Sequence, residues 1–276
     1  MNRVPPKSPD ITVITITRGR PDLLRRAISA VRRQLPNAVL EHLVLVDACD
    51  ETGAMLESLP AEPHLQWRVV PRRPGEHSGP GRSSRLRNLG VQEALGDWIA
   101  FIDDDNDWES DHLSTLQAHA SSGSSPAVHC AMQMFHRDGR AYCEDRVPWA
   151  RDAGQARAEF ARLVKLGVAQ WGSNLFMDRA DPVGTVGGVQ SVDTGEWLIR
   201  RAFLRTIPFR TSFTASDEEG LVGEDDKLMA DVLAAGVRPT STNKPTLRYF
   251  VGGYSNSFEI RFDDSFSWRN VGNDEE

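Results

Sequence analysis

The residues best suited to chemistry stand at Phe101-Ile102-Asp103-Asp104-Asp105-Asn106-Asp107, where an apolar run ends in consecutive carboxylates. Like charges this close repel one another until water or a cation neutralises them. Oxygen ligands with no cysteine or histidine beside them suit Mg2+ or Mn2+. Such ions keep waters and lean on substrate phosphates, so one or two protein carboxylates suffice. The competing reading is an acidic turn that caps a following helix; the buried strand in front favours the cation. A second acidic group, Gly223-Glu224-Asp225-Asp226, opens a helix. The helix dipole alone favours acids there, and a carboxylate in that place can also serve as general base for a hydroxyl nucleophile. Arg82, Arg85 and Arg87 beside Asn88 form a basic group, either a solvated helix face or a counterweight to pyrophosphate charge. Trp171 and Trp197 are either core or surfaces on which a sugar ring stacks.

Other chemistries find no support. His42, His64, His77, His112, His119, His129 and His136 are scattered without metal-ligand spacing. There is no Gly-x-Ser-x-Gly elbow, phosphate-loop lysine motif or Gly-x-Gly-x-x-Gly fingerprint, which counts against hydrolase, ATPase and dehydrogenase readings. A net charge of −7, from 32 basic and 39 acidic side chains, speaks against a general nucleic-acid binder. Cys49, Cys130 and Cys143 are an odd set without paired spacing, so a reduced, cytoplasmic setting is expected rather than a disulfide framework. No apolar run approaches 18 residues and the proline-bearing start, Met1 to Asp10, has no hydrophobic stretch, so neither a transmembrane segment nor a secretory signal is expected.

The elements that must position these groups follow from hydrophobic patterning. Residues 11–17, rich in β-branched side chains, predict a buried first strand. Pro21 then opens a helix carrying Leu23, Leu24, Ala27, Ile28 and Val31 at helical spacing. Strands are expected at 43–46, 65–70 and 98–102, with helices over 51–59 and 83–95. The proline- and glycine-rich stretch 71–81 reads as a loop long enough to be functional. Four strands alternating with three helices predict a parallel sheet with helical crossovers. Ligands of such sheets bind beyond the carboxyl ends of the strands, where Thr17, Asp47 and Asp103 all stand. Farther on, strands are expected at 126–136, 197–199 and 246–251, a turn at 137–142, and helices at 155–166 and from 223 through about 235. Gly184, Gly187 and Gly188 mark a loop before Ser191. No linker divides the chain, which reads as one sheet with a more variable second half.

In this order the motifs resemble those of family 2 glycosyltransferases. Ile14-Thr15-Ile16-Thr17-Arg18-Gly19-Arg20-Pro21 resembles that family's first strand and Thr-Tyr-Asn-Arg-Pro turn, and Leu45-Val46-Asp47 its Val-Asp-Asp strand end. Leu86-Arg87-Asn88-Leu89-Gly90 resembles the Ala-Arg-Asn-x-Gly helix. Gly96 through Asp105 resembles the Gly-Glu-Tyr-x-x-Phe-x-Asp-x-Asp segment. Downstream, Asp193-Thr194-Gly195, Ile199-Arg200-Arg201 and Glu224-Asp225 resemble its acceptor half. The resemblance implies a GT-A fold, a mostly parallel α/β sheet flanked by helices. It divides the chain into an N-terminal tail (1–10), a nucleotide-sugar half (11–120), an acceptor half (121–260) and a C-terminal tail (261–276). It implies Mg2+ or Mn2+ held by Asp105, with Asp103 on the metal or the ribose. The donor would be a nucleotide sugar, UDP-linked by default, contacted by Thr17, Arg20, Asp47, Arg82, Arg85, Asn88 and Asp104. Asp225 would be the base of an inverting transfer, with Glu224 and Asp226 as competitors. Two positions depart from the pattern: Ala48 replaces the second strand-end aspartate, with Asp50 and Glu51 nearby, and Gly19 replaces the turn asparagine. A nucleotidyltransferase, or a nucleotide-sugar-binding protein without activity, would use a related sheet. The former usually carries a glycine-rich phosphate loop after strand one, of which Arg18-Gly19-Arg20 is only a faint echo.

Overall fold

The structure is a computed structural model and describes residues 9–34, 39–150, 152–186 and 188–253. Most of the expected N-terminal tail, the C-terminal tail 261–276 and Gly187 lie outside the described residues.

The chain begins as an alternating β/α unit. Strand β1 (Ile11–Thr17) leads to α1 (Pro21–Arg32), β2 (Leu40–Asp47), α2 (Asp50–Glu57), β3 (Leu65–Val70), α3 (Pro80–Glu93) and β4 (Trp98–Phe101). These strands are parallel, in the order β3-β2-β1-β4. Placing β2 and β3 on one side of β1 and β4 on the other opens a crevice at the carboxyl ends of β1 and β4. Register then decides which residues meet there. Ile14 pairs with Phe101, so Thr17 comes level with Asp104. Thr17 pairs with Val46, so Asp47 stands one residue beyond it on the neighbouring strand.

The second half extends the same sheet with mixed polarity. It comprises β5 (Asp107–Trp108), α4 (His112–Ser122), β6 (Ala127–Phe135), α5 (Ala153–Lys165), β7 (Leu175–Phe176), β8 (Arg179–Ala180), β9 (Gln190–Ser191) and a 3-10 turn at Thr194–Glu196. Then come β10 (Trp197–Arg200), α6 (Arg201–Leu204), α7 (Ala215–Gly220), α8 (Glu224–Ala234) and β11 (Thr240–Phe250). Strand β10 inserts antiparallel between β4 and β6, β11 runs parallel to β6, and β5 closes the edge; β8 and β9 pair separately.

Both faces of the sheet are covered, as helical crossovers require. Ile11, Val13, Ala100, Ile102 and Leu198 pack on one face, Ile14, Ile99, Phe101, Trp197 and Ile199 on the other, a strict period of two. Gly90 of α3 lies so close to β1 that a Cβ there would sit 2.8 Å from Cγ2 of Ile14. The absence of a side chain lets α3 approach the strand and brings its arginines to the strand ends.

The structure moves two element boundaries, adds a helix and separates the two tryptophans. Helix α3 starts at Pro80, three residues early, so Arg82 is helical and not beside a longer loop; proline is well suited to a helix's first turn. Helix α4 has no counterpart in the sequence reading. Its buried face is His112, Leu113, Leu116 and Ala120, too polar and small for clear periodicity. Strand β11 begins at Thr240, six residues early, and carries an irregularity with Asn243 at φ 54°. Trp197 is fully buried core, whereas Trp171 is 56% exposed and leans edge-on against Phe160.

Candidate active site

A cleft of about 550 Å3 opens at the β1/β4 switch point. Thr17, Arg20, Asp47, Arg82, Arg87 and Asp103 through Asn106 line one side, and Asp178, Asp193 and Gly223 through Asp226 line another. The two acidic motifs, 120 positions apart in sequence, thus share one cavity.

On the first side every carboxylate meets an arginine. Thr17 Oγ1 donates to Asp104 Oδ2 at 2.6 Å, as the register of β1 and β4 requires. Arg20 follows Gly19, which takes φ 63°, a conformation open to glycine and asparagine. From that turn its guanidinium reaches Asp104 at 2.5 Å and Asp105 at 2.8 Å. Arg26 of α1 donates to the Asp105 carbonyl and lies over the Phe250 ring. Burial pushes the Asp104 carboxyl up to about 7, with Arg20 opposing and Asp105 adding to the rise. Asp105 is raised too, by burial above all. Asp47 receives Arg72 Nε at 3.1 Å, Arg72 Nη2 at 2.5 Å and Arg82 Nε at 2.9 Å. Burial works against its charge, but the two arginines prevail and hold its pKa below the usual carboxylate range. Arg82 is itself buried and also binds Glu76 and the Val70 carbonyl.

On the second side the acids other than Glu224 rely on backbone amides and on one another. Asp226 Oδ2 accepts from Gly223 N at 2.7 Å and closes the first turn of α8. Glu224 binds Arg87. Asp225 accepts from Asp226 N at 3.0 Å through Oδ1 and lines the cleft half-buried. Enclosure, then Asp226, Glu224 and Asp193, raise its pKa well above the usual carboxylate range. Asp193 rises to about 7 through burial and the charge of Asp103. Asp178 rises to about 7 through burial, next to Glu196, which burial and the charge of Asp178 hold well above the usual carboxylate range.

The three competitors within 224–226 therefore have separate surroundings, and Asp225 is the one whose carboxylate makes neither the arginine pair nor the cap. Of the anticipated donor residues, Thr17, Arg20, Asp47, Arg82, Asp103, Asp104 and Asp105 gather at the cleft. Arg85 and Asn88 are not among its lining residues. Arg85 pairs with Glu76 at 2.7 Å. The Asn88 amide is tied to the Phe209 backbone by bonds of 2.8 and 2.9 Å. Asp50 and Glu51 start α2 away from the cleft lining. Ala48 sits at φ 44°, so this turn keeps a left-handed residue without a side-chain acid. Arg72, Glu76, Arg26, Trp149 and Asp178 were missed. Each stands in a stretch without a motif, and only the alternation of charge in Arg72-Arg73 and Glu76 hints at a pair.

Among the described residues no three histidine, cysteine, aspartate or glutamate side chains converge closely enough to cage a metal ion. Asp103, 30% exposed, and Asp105 offer hard oxygen donors at the cleft. That donor set fits a cation completed by phosphate oxygens and water.

The family model for glycosyl transferase family 2 matches residues 12–170, more than half of the chain. Over 234 residues the chain is 26% identical to the succinoglycan biosynthesis protein ExoO of Rhizobium meliloti (strain 1021), covering 84% of this chain and 58% of that protein. Among solved structures, S. aureus TarS 1-349 superposes with a TM-score of 0.59 at 15% identity, over 87% of this chain and 60% of that one. A mannosyltransferase from Pyrobaculum calidifontis, in complex with GDP-Man and Mn2+, superposes with a TM-score of 0.55 at 17% identity, over 91% and 60%. The chain thus spans less than two thirds of the length of these proteins, and its fold is the GT-A fold. No helix among the described residues is long and apolar enough to cross a membrane. With the β1 turn, the strand-end acids and the α3 helix all inside the matched segment, the chain belongs to glycosyl transferase family 2.

Proposed function

We propose that this chain moves a sugar from a nucleoside-diphosphate sugar to an acceptor hydroxyl, with inversion and with Mg2+ or Mn2+ bound alongside the donor. The observation that carries this reading is the shared cleft. Thr17, Asp47, Asp103 and Asp105 converge there from the strand ends, and Asp225 faces them from the start of α8. The acceptor oxygen attacks the anomeric carbon as its proton passes to Asp225, and the bond from that carbon to the diphosphate oxygen breaks. A carboxylate with a raised pKa is well matched to taking this proton near neutral pH. Arg20 carries positive charge to the place where the diphosphate departs, and such charge stabilises a leaving group most where water is excluded. Asp103 and Asp105 would hold the cation, which when bound neutralises developing phosphate charge.

Complexes of related folds support a nucleotide-sugar donor: TarS 1-349 has been seen with UDP and with UDP-GlcNAc, and the mannosyltransferase with GDP-Man and Mn2+. A UDP-sugar remains the default donor. The nucleotide-sugar half is assigned to 11–120 and the acceptor half to 121–260. Three free cysteines fit a reducing, cytoplasmic compartment.

The test is thermal denaturation with UDP, GDP or dTDP, each with and without Mn2+. A ligand at a hundred times its Kd stabilises by about 2.7 kcal/mol, at about 2–4 °C per kcal/mol for chains somewhat shorter than this one. A Mn2+-dependent shift with one nucleotide, lost in Asp105→Ala, is expected. No shift with any of them sinks the donor reading, and an unchanged Mn2+-dependent shift in Asp105→Ala sinks the metal ligand.

A further inference from the structure

Arg87 of α3 touches both halves of the cleft. Its Nη2 donates to Asp103 Oδ1 at 2.8 Å and its Nη1 to Glu224, across 137 positions of sequence. The side chain is 4% exposed and lies 5.8 Å from the centroid of the Phe209 ring. The next residue, Asn88, holds the backbone of the same Phe209 by two hydrogen bonds. One turn of α3 therefore fastens the end of β4, the segment before α7 and the first turn of α8 to a single point. A guanidinium presents its donors in a rigid fork, so binding two carboxylates at once fixes their relative position. Glu224 immediately precedes Asp225, and their backbones belong to the same helical turn.

We infer that Arg87 is a positioning residue for the transfer, setting the base-bearing turn of α8 against the donor-side Asp103 by holding Glu224. This rests on the transferase reading above. Glu224 then has no proton to move; its carboxylate is the handle by which the turn is held. Arg87 needs no contact with the substrate, because it acts through Asp103 and through the turn that carries Asp225.

The experiment follows release of nucleoside diphosphate from whichever nucleotide sugar the denaturation screen selects, with water as acceptor, and measures nucleotide affinity by calorimetry. Displacement of a reacting group by about 1 Å costs about 100-fold, so Arg87→Met should lower kcat by about that factor. Affinity for the nucleotide should fall far less. Glu224→Gln leaves Arg87 paired with Asp103, so it is the variant that keeps the fold if Arg87→Met does not. It should lower kcat with nucleotide affinity intact. Because both act through one contact, the double variant should turn over within about twofold of Arg87→Met, not at the product of the two losses.

Azide supplies the readout that general damage would not move. Its nitrogen attacks the anomeric carbon and the bond to the diphosphate breaks with no proton to remove. Azide should restore product release in Arg87→Met and Glu224→Gln if the loss lies in the base. Failure of azide to restore either variant, multiplicative losses in the double variant, or unaltered kcat in Glu224→Gln would overturn the positioning role. If the wild-type protein consumes none of the nucleotide sugars, the transferase reading falls first.

Discussion

The two sides of the cleft hold their carboxylates with different partners. On the β1–β4 side Asp47, Asp103, Asp104 and Asp105 each meet a guanidinium, from Arg72 and Arg82, Arg87, or Arg20. On the other side Asp178, Glu196, Asp193 and Asp225 crowd one another, and burial raises their pKa values, as it raises those of Asp104 and Asp105 against the pull of Arg20. The arginine side has its charge balanced before any ligand arrives, as suits a surface that will meet phosphates and a cation. The acid-rich side has an affinity for protons, as suits a place where a hydroxyl must lose one. Arg87 joins the two.

The largest effect should come from the proton-accepting side. Asp225→Asn is expected to lower product release by about 10²–10⁴-fold, the usual worth of a general base, while calorimetry finds nucleotide affinity unchanged. Normal turnover would move the base elsewhere and end the functional contrast.

On the arginine side the effect should be on stability. Arg82→Met leaves Asp47 and Glu76 short of a buried partner. Urea unfolding should show a loss of about 3 kcal/mol, the lower end for breaking a buried pair, because Arg72 and Arg85 remain. A loss below about 1 kcal/mol, the worth of an exposed pair, would mean that this side is not held by its ion pairs.

The acid side should respond to pH. Asp178 titrates near 4 in an unfolded chain and at about 7 when folded. Between those values the folded state holds the extra proton, so stability is greatest at the acid end and falls as pH rises through 7. The melting temperature should therefore drop between pH 5 and pH 8, and Asp178→Asn should flatten that drop. A melting temperature that rises over this range would contradict the raised values.

The smallest effect belongs to a backbone position. Ala48 at φ 44° bears a cost that glycine avoids, partly offset by glycine's greater freedom when unfolded. Ala48→Gly should raise the melting temperature by about 1–2 °C, a few tenths of a kcal/mol. A decrease would mean that the Ala48 methyl group contributes packing that outweighs the strain.

Much of the donor side was legible because its signals are local. The run 11–17 is β-branched throughout, Pro21 opens α1, and Asp103 follows an apolar strand without interruption. Parallel register then brings these ends together with little freedom. The other side was less legible. Strands β7, β8 and β9 have two residues each, too few for any periodicity. Helix α4 buries a histidine at its start, and β11 hides its first half behind polar residues. Trp197 and Asn88 were recognisable as residue types, but their surroundings decide that one fills the core and the other binds backbone.

By itself the amino-acid sequence determined the strand-helix alternation, the acids at the strand ends and the turn that presents Arg20. Each depends on neighbours within a few positions, through hydrophobic period, proline and glycine geometry, and the preference of carboxylates for helix starts. Only the tertiary structure decided which acids would be paired and which would be raised in pKa. That depends on arginines 16, 25, 35, 84 and 137 positions away and on the burial each pair shares. Electrostatic energy varies with distance in space and with the surrounding dielectric, and neither is written in the spacing of residues along the chain.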